Sequence, residues 1–234
     1  MKRIIKISLI LLLVGMAVIA AVPFFKEKRA ERKYENEFKN IQESVTEKKS
    51  DVNGLVKKNK DCIGYVQIPG TTISYPVMQT KDKPDFYLNH DFNRNYSFYG
   101  TSYLSAYCDV NKSDNLIIYG HNINGGKMFG ALEQYKDKKF FNKHRKIYFT
   151  TDKKREYEVF AVMSVNIHKF EYWKFVMARD AKEYDEFVDK MEEHSLWRRE
   201  NKPKYGEQML MLSTCDNGKG DDWRIVLIAK CVYS

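Results

Sequence analysis

Near the C-terminus two apolar runs are joined by a short polar break. Met209-Leu210-Met211-Leu212-Ser213-Thr214-Cys215 is followed by Asp216-Asn217-Gly218-Lys219-Gly220-Asp221-Asp222 and then by Trp223-Arg224-Ile225-Val226-Leu227-Ile228-Ala229. The first run is too short for an independent helix, and the Asx- and Gly-rich break has turn chemistry, so the pair reads as two adjoining buried strands. The first strand delivers Cys215 to a sheet edge. The second holds one charge, Arg224, in an otherwise apolar run; a guanidinium there needs solvent or an anionic partner, because burying it unpaired is costly. A thiol and a guanidinium at neighbouring strand ends mark a candidate site.

The 234 residues suffice for one substantial domain plus an appendage, and a composition with 14% aromatics favours strands over disorder. From Cys62 onward short β-rich runs alternate with turns. Strands are predicted at Gly64-Tyr65-Val66-Gln67-Ile68, Thr72-Ile73-Ser74-Tyr75-Pro76-Val77, 100–107, 116–119, 146–150 and 157–165, before the Met209 and Trp223 strands. This spacing suggests a mainly β fold, a closed mixed barrel of about eight strands with peripheral helices. Residues 127–135 look helical. A longer helix starts at Asp180, where Asp180 and Glu183 can form a capping box and Tyr184, Phe187, Val188 and Met191 form one apolar stripe.

Ahead of this domain the chain changes character twice. After a short N-terminus of residues 1–6, with Lys2, Arg3 and Lys6, residues 7–25 approach the length of a membrane span and are expected to form one transmembrane helix. A cleavable signal peptide is the competing reading, but the uncharged run is longer than an ordinary signal core and lacks an A-x-A ending. Lys26, Lys28, Arg29, Arg32 and Lys33 follow the run, so basic residues flank it on both sides and the charge pattern leaves its orientation open. Residues 26–60 form an expected charged helical stalk, with Tyr34, Phe38, Ile41 and Val45 at near-helical spacing and an interruption at Asn53-Gly54. Residues 61–234 are the expected catalytic domain.

A cysteine nucleophile needs a nearby cation or base to reach the thiolate form. Of five histidines, His121 stands out because it closes the apolar run Leu116-Ile117-Ile118-Tyr119 after Gly120, the same strand-end placement as Cys215. Cys62, Cys108 and Cys231 read as small buried hydrophobes, and no C-x-x-C pair points to zinc or to a redox site. Asp216, Asp221 and Asp222 resemble a calcium loop only superficially, since the closing Glu and the spacing of an EF-hand are missing. No metal or cofactor is expected. The formal charge of +9 describes a Lys-rich surface or contact with an anionic envelope polymer or membrane; no motif accompanies it that would indicate nucleic acid.

Taken together, Gly120-His121-Asn122, Leu212-Ser213-Thr214-Cys215 and Arg224 resemble the sortases, membrane-anchored cysteine transpeptidases of Gram-positive surfaces. The similarity is greatest to class B and runs through Tyr65-Val66-Gln67-Ile68-Pro69-Gly70, Tyr87-Leu88-Asn89-His90-Asp91-Phe92 and Lys127-Met128-Phe129. Ser105 stands where an aspartate is more familiar. The resemblance implies that Cys215 attacks a backbone carbonyl in the C-terminal sorting signal of a surface protein. The thioacyl enzyme is then resolved by an amine of peptidoglycan or a lysine of another protein. His121 is implied as general acid and base, and Arg224 as the group that binds substrate carbonyls and the oxyanion. It further implies a single-pass cell-membrane protein with an extracellular catalytic domain. Two alternatives stay open: an exported cysteine peptidase that hydrolyses the same thioester, and a non-catalytic barrel that binds a wall component.

Overall fold

The computed structural model describes residues 2–47 and 52–233. The chain divides into two compact units, Met1–Asn40 and Ile41–Ser234. Helix α1 (Lys2–Glu47) is a single element of 46 residues. Among the described residues no helix is long and apolar enough to cross a membrane. This corrects the expected transmembrane helix over 7–25, and with it the single-pass membrane localisation. Among the described residues no stretch of this helix as long as a span is apolar enough, and the apolar run is not an element of its own. It is the start of a longer helix that passes through Pro23 and continues into Lys26, Lys28, Arg29, Arg32 and Lys33.

Helix α2 (Val52–Lys58) leads into the second unit. Asn53-Gly54, expected to interrupt the chain, falls inside its first turn, where backbone N–H groups have no intrahelical partner in any case. Val52 and Leu55, three residues apart, are buried in a cluster with Ile41, Cys62, Tyr65 and Met78. The side chain of Val45 and residues 48–51 lie outside the described residues.

All eight strands predicted from the sequence are present: β1 (Cys62–Gln67), β2 (Ser74–Met78), β3 (Tyr103–Leu104), β4 (Asn115–Tyr119), β7 (Lys146–Thr150), β8 (Lys154–Asn166), β10 (Met209–Cys215) and β11 (Trp223–Tyr233). Three short strands are added: β5 (Asn122–Ile123), β6 (Lys127–Met128) and β9 (Ser195–Arg198). The main sheet runs β11-β10-β4-β3-β2-β1-β7-β8-β9, and β11 also pairs with β8. That last pairing joins the two ends, so eight strands close into a barrel and β9 lies outside the ring. The 13-residue β8 makes this possible. Residues Lys154–Glu158 pair with β7 and Ala161–Met163 with β9, while β11 runs antiparallel to nearly the whole strand, from Asn166 back to Glu156.

The closing strands are buried in the core. Leu210, Leu212, Ile225, Leu227 and Ile228 are all fully buried, and burying each such side chain contributes about 1.5–3 kcal/mol. Helix α3 (Ala181–Glu193) packs its predicted stripe inward: Tyr184, Phe187, Val188 and Met191 are buried. Asp180 caps it by accepting from Glu183 N at 2.9 Å, but the Glu183 carboxylate returns to Arg179 N, one residue before the cap. The expected helix at 127–135 is instead the short strand β6 followed by a 3-10 helix (Phe129–Lys136). Met128, with φ of 49°, turns the chain between them.

Candidate active site

Two strand pairings bring the predicted residues together. Strand β10 is parallel to β4, with Leu212 opposite Ile118 and Ser213 opposite Tyr119. Parallel neighbours end at the same edge of a sheet. Cys215 is the last residue of β10 and His121 follows the last residue of β4 by two positions, so both emerge at that edge. Strand β10 is antiparallel to β11, and there Cys215 is the direct partner of Arg224. Neighbours in the sheet thus place side by side three residues that are far apart in the chain.

The turn at Gly120 depends on the absence of a side chain. A Cβ there would meet the Phe129 ring at 2.8 Å, so the glycine lets the 3-10 helix pack directly beneath His121. Phe129 N also donates to His121 O at 2.9 Å, which fixes the backbone of the histidine to the first residue of that helix. The half-buried ring of His121 lies 2.7 Å, through Nε2, from the carbonyl of Leu88. A carbonyl only accepts, so Nε2 carries the proton, and in the neutral ring Nδ1 is left as the acceptor nitrogen. Phe98 lies parallel to the ring, with centroids 6.5 Å apart.

Arg224 is half-buried and is held by carbonyls: Nη1 donates to Asp221 O at 2.6 Å and to Trp223 O at 2.9 Å. Among the described residues it makes no ion pair. Its guanidinium is therefore oriented by its own loop while the charge stays uncompensated by a carboxylate. Cys215 is a free, half-buried thiol. Next to it, Thr214 Oγ1 is buried without a hydrogen-bond partner among the described residues.

All three residues line one cleft of about 570 Å³, a volume in the range of ligand-binding sites. Its walls are aromatic and polar: Tyr103, Tyr107, Tyr119 and Trp173 stand with Ser105, Ser213 and Thr214. By contrast Cys62 and Cys108 are buried, and burial pushes their thiols up to about 12 and about 11. Such thiols are protonated and inert at neutral pH. Among the described residues no group of three or more His, Cys, Asp or Glu side chains could hold a metal ion.

Two residues that the sequence presents as turn formers are tied to the site. Asn122, directly after His121, donates from Nδ2 to Cys215 O and to Glu133 Oε1, both at 2.8 Å. Asp216, directly after Cys215, is fully buried, whereas Asp221 and Asp222 in the same break are exposed. Its Oδ1 accepts from Lys136 Nζ at 2.7 Å and its Oδ2 from Ser164 Oγ at 2.6 Å. Burial alone would push the Asp216 carboxyl up. The bonds from Lys136 and Ser164, with the charges of Lys136 and Lys219, outweigh it and hold the group below its ordinary value. The only cue in the sequence was position, each residue standing immediately after a candidate catalytic residue.

Comparison with known proteins gives a consistent result. Residues 66–232 match the family model of the sortase domain. The chain is 28% identical to sortase B of Staphylococcus aureus (strain NCTC 8325 / PS 47), over 99% of this chain and 98% of that protein. It is 30% identical to sortase B of Listeria monocytogenes over 80% of this chain and 76% of that one. Among solved structures, the Staphylococcus aureus sortase B–substrate complex is similar with a TM-score of 0.77 and 27% identity, covering 89% of this chain and 98% of that chain. Sortase B of Clostridium perfringens gives a TM-score of 0.72 and 30% identity, over 77% of this chain and 99% of that one.

Proposed function

Because the chain belongs to the sortase family, we propose that it is a class B cysteine transpeptidase in which Cys215, His121 and Arg224 carry the reaction, with 61–234 as the catalytic domain. The observation that supports this most directly is the shared cleft: a free thiol, a histidine with Nε2 engaged, and an arginine free of carboxylates meet there at the ends of three adjacent strands. Residues 26–60 are proposed as a helical segment that spaces this domain from whatever precedes it.

The donor is a peptide carrying a C-terminal sorting signal. The Cys215 thiol gives its proton to neutral His121, and the resulting thiolate attacks the scissile carbonyl, forming the C–S bond and an oxyanion that Arg224 stabilises. Collapse breaks the C–N bond, and protonated His121 gives its proton to the departing amine. The incoming amine, from peptidoglycan or a lysine of another protein, then attacks the thioester carbonyl. His121 takes the amine's proton, a new amide forms, and Cys215 leaves as thiolate. An arginine suits the oxyanion role because it keeps its charge at any working pH.

Incubating the full chain with a sorting-signal peptide, with and without a panel of amines, and weighing the products tests this. The expected outcome is an amide-linked product whose yield rises with amine. Hydrolysis alone with every amine would replace the transpeptidase with a peptidase. Product formation retained in Cys215→Ala would defeat both.

A further inference from the structure

The residues that follow His121 and Cys215 in the chain are connected to each other through one helix. From the histidine side, Asn122 Nδ2 donates to Glu133 Oε1 at 2.8 Å, and Glu133 Oε2 lies 2.7 Å from Lys136 Nζ. From the cysteine side, Asp216 Oδ1 lies 2.7 Å from the same Lys136 Nζ. Asn122 closes the loop by donating directly to Cys215 O at 2.8 Å, and Asn217 Nδ2 donates back to Asn122 O at 3.2 Å. Glu133 and Lys136 sit one turn apart on the 3-10 helix whose first residue, Phe129, holds His121 O.

Lys136 is the junction of this network, since it is the cation shared by both carboxylates. Asp216 is fully buried and Lys136 side-chain exposure is 32%. A buried carboxylate that loses its cation pays a desolvation cost it cannot escape by turning to solvent. Its remaining side-chain hydrogen bond among the described residues comes from the hydroxyl of Ser164 on β8. Removing Lys136 therefore loads the strain onto the backbone of Asp216, the residue bonded to the nucleophile.

We propose that Lys136, assisted by Glu133, is a positioning residue: through Asn122 and Asp216 it fixes the separation of the Cys215 thiol and the His121 ring while touching neither. This rests on the assignment of Cys215 and His121 as the reacting pair. Near-attack geometry is steep, and a displacement of about 1 Å costs on the order of a hundredfold in rate. A salt bridge behind the site can thus control turnover without contacting substrate.

The test uses the full chain and three variants, Lys136→Met, Lys136→Arg and the double variant Lys136→Met/Asp216→Asn. Two readouts are taken: peptide-to-amine transfer, and the rate at which iodoacetamide alkylates Cys215. For Lys136→Met the expectation is a fall in kcat of roughly 30- to 100-fold with KM for the peptide within about twofold, and slower alkylation by about tenfold. Lys136→Arg should recover to within about fivefold of wild type, because the cation is kept. The double variant should exceed Lys136→Met in rate, since it removes the stranded anion along with the cation. Should Lys136→Met be poorly folded, Glu133→Gln, which keeps an acceptor for Asn122, is expected to lower kcat by roughly three- to tenfold with an unchanged melting temperature. The proposal is overturned if kcat per folded molecule and alkylation match wild type in Lys136→Met, or if the double variant is no faster than it. A wild-type chain that joins no peptide to any amine would defeat the transpeptidase assignment instead, and the alkylation rates would still decide the role of Lys136.

Discussion

A cysteine of the β10–β11 hairpin lies near an arginine at each of its ends, yet only one end has the makings of a reactive site. At the far end Cys231 stands on β11 opposite Tyr157 of β8, and Arg155 of β8 is nearby; both line a hollow of about 430 Å³. There the arginine is buried and used up, bonded to Thr151 Oγ1 and to Asn111 Oδ1 and lying 3.7 Å from Asp152. Burial pushes the Cys231 thiol up, and its sulfur contacts Tyr233 O. No histidine lines that hollow among the described residues. At the near end Arg224 binds only carbonyls of its own loop, and the parallel neighbour β4 runs out into His121. A thiol, a guanidinium and a hollow are therefore insufficient together. The decisive additions are a parallel strand that ends in a base and an arginine with no carboxylate to satisfy.

The comparison is broken most sharply by exchanging the two thiols. Cys215→Ala should lower transfer by at least about a thousandfold, and Cys231→Ala should leave it within about twofold; comparable losses in both, measured by product mass, would make the ends equivalent. His121→Gln comes next, with an expected loss of roughly 10²- to 10⁴-fold in kcat/KM and little change in melting temperature. The two arginines should then separate by kind of effect. Arg224→Lys is expected to reduce kcat by roughly ten- to a hundredfold at constant stability, because a point charge replaces a planar fork. Arg155→Met should leave turnover alone and cost roughly 1.5–3 kcal/mol in denaturant unfolding, the value of hydrogen bonds to a buried charged group.

The smallest effect belongs to acid stability. Asp216 has a folded-state value below its ordinary 3.8, so its pairing stabilises the fold fully above that value and the contribution is lost as pH falls through the lower, folded one. Asp216→Asn should flatten the acid limb of a stability-against-pH curve while leaving the neutral and alkaline limbs parallel to wild type. An unchanged acid limb would show that the Lys136 pair adds nothing near the nucleophile that the far end lacks.

Much of the barrel was legible because its eight strands are marked by alternation or by dense apolar runs, and burial acts on those patterns directly. Strands β5 and β6 were not, being two residues each and joined by a turn at Asn124–Gly126 rather than marked by composition. Cys215, His121 and Arg224 could be picked out because each combines a reactive group with a strand end. Asn122 and Asp216 could not. Asparagine and aspartate two residues from a glycine have the chemistry of turns, and what distinguishes them here is contact with Glu133 and Lys136, which no local pattern encodes. The Leu88 carbonyl that sets the proton on His121 is a backbone atom, and sequence does not mark it. The apolar run 7–25 misled in the opposite direction, since run length describes a stretch of chain and not the element into which it folds.

Strands β10 and β11 are the last two in the chain, and they enter the ring between β4 and β8. His121 precedes Cys215 and Arg224 along the chain, and the ring is not closed without the hairpin that carries those two residues. A chain still being made, or one clipped before the hairpin, carries the proposed base without the proposed nucleophile. Chemical competence is in this way tied to completion of the fold: the proposed nucleophile lies on the same hairpin that closes the ring.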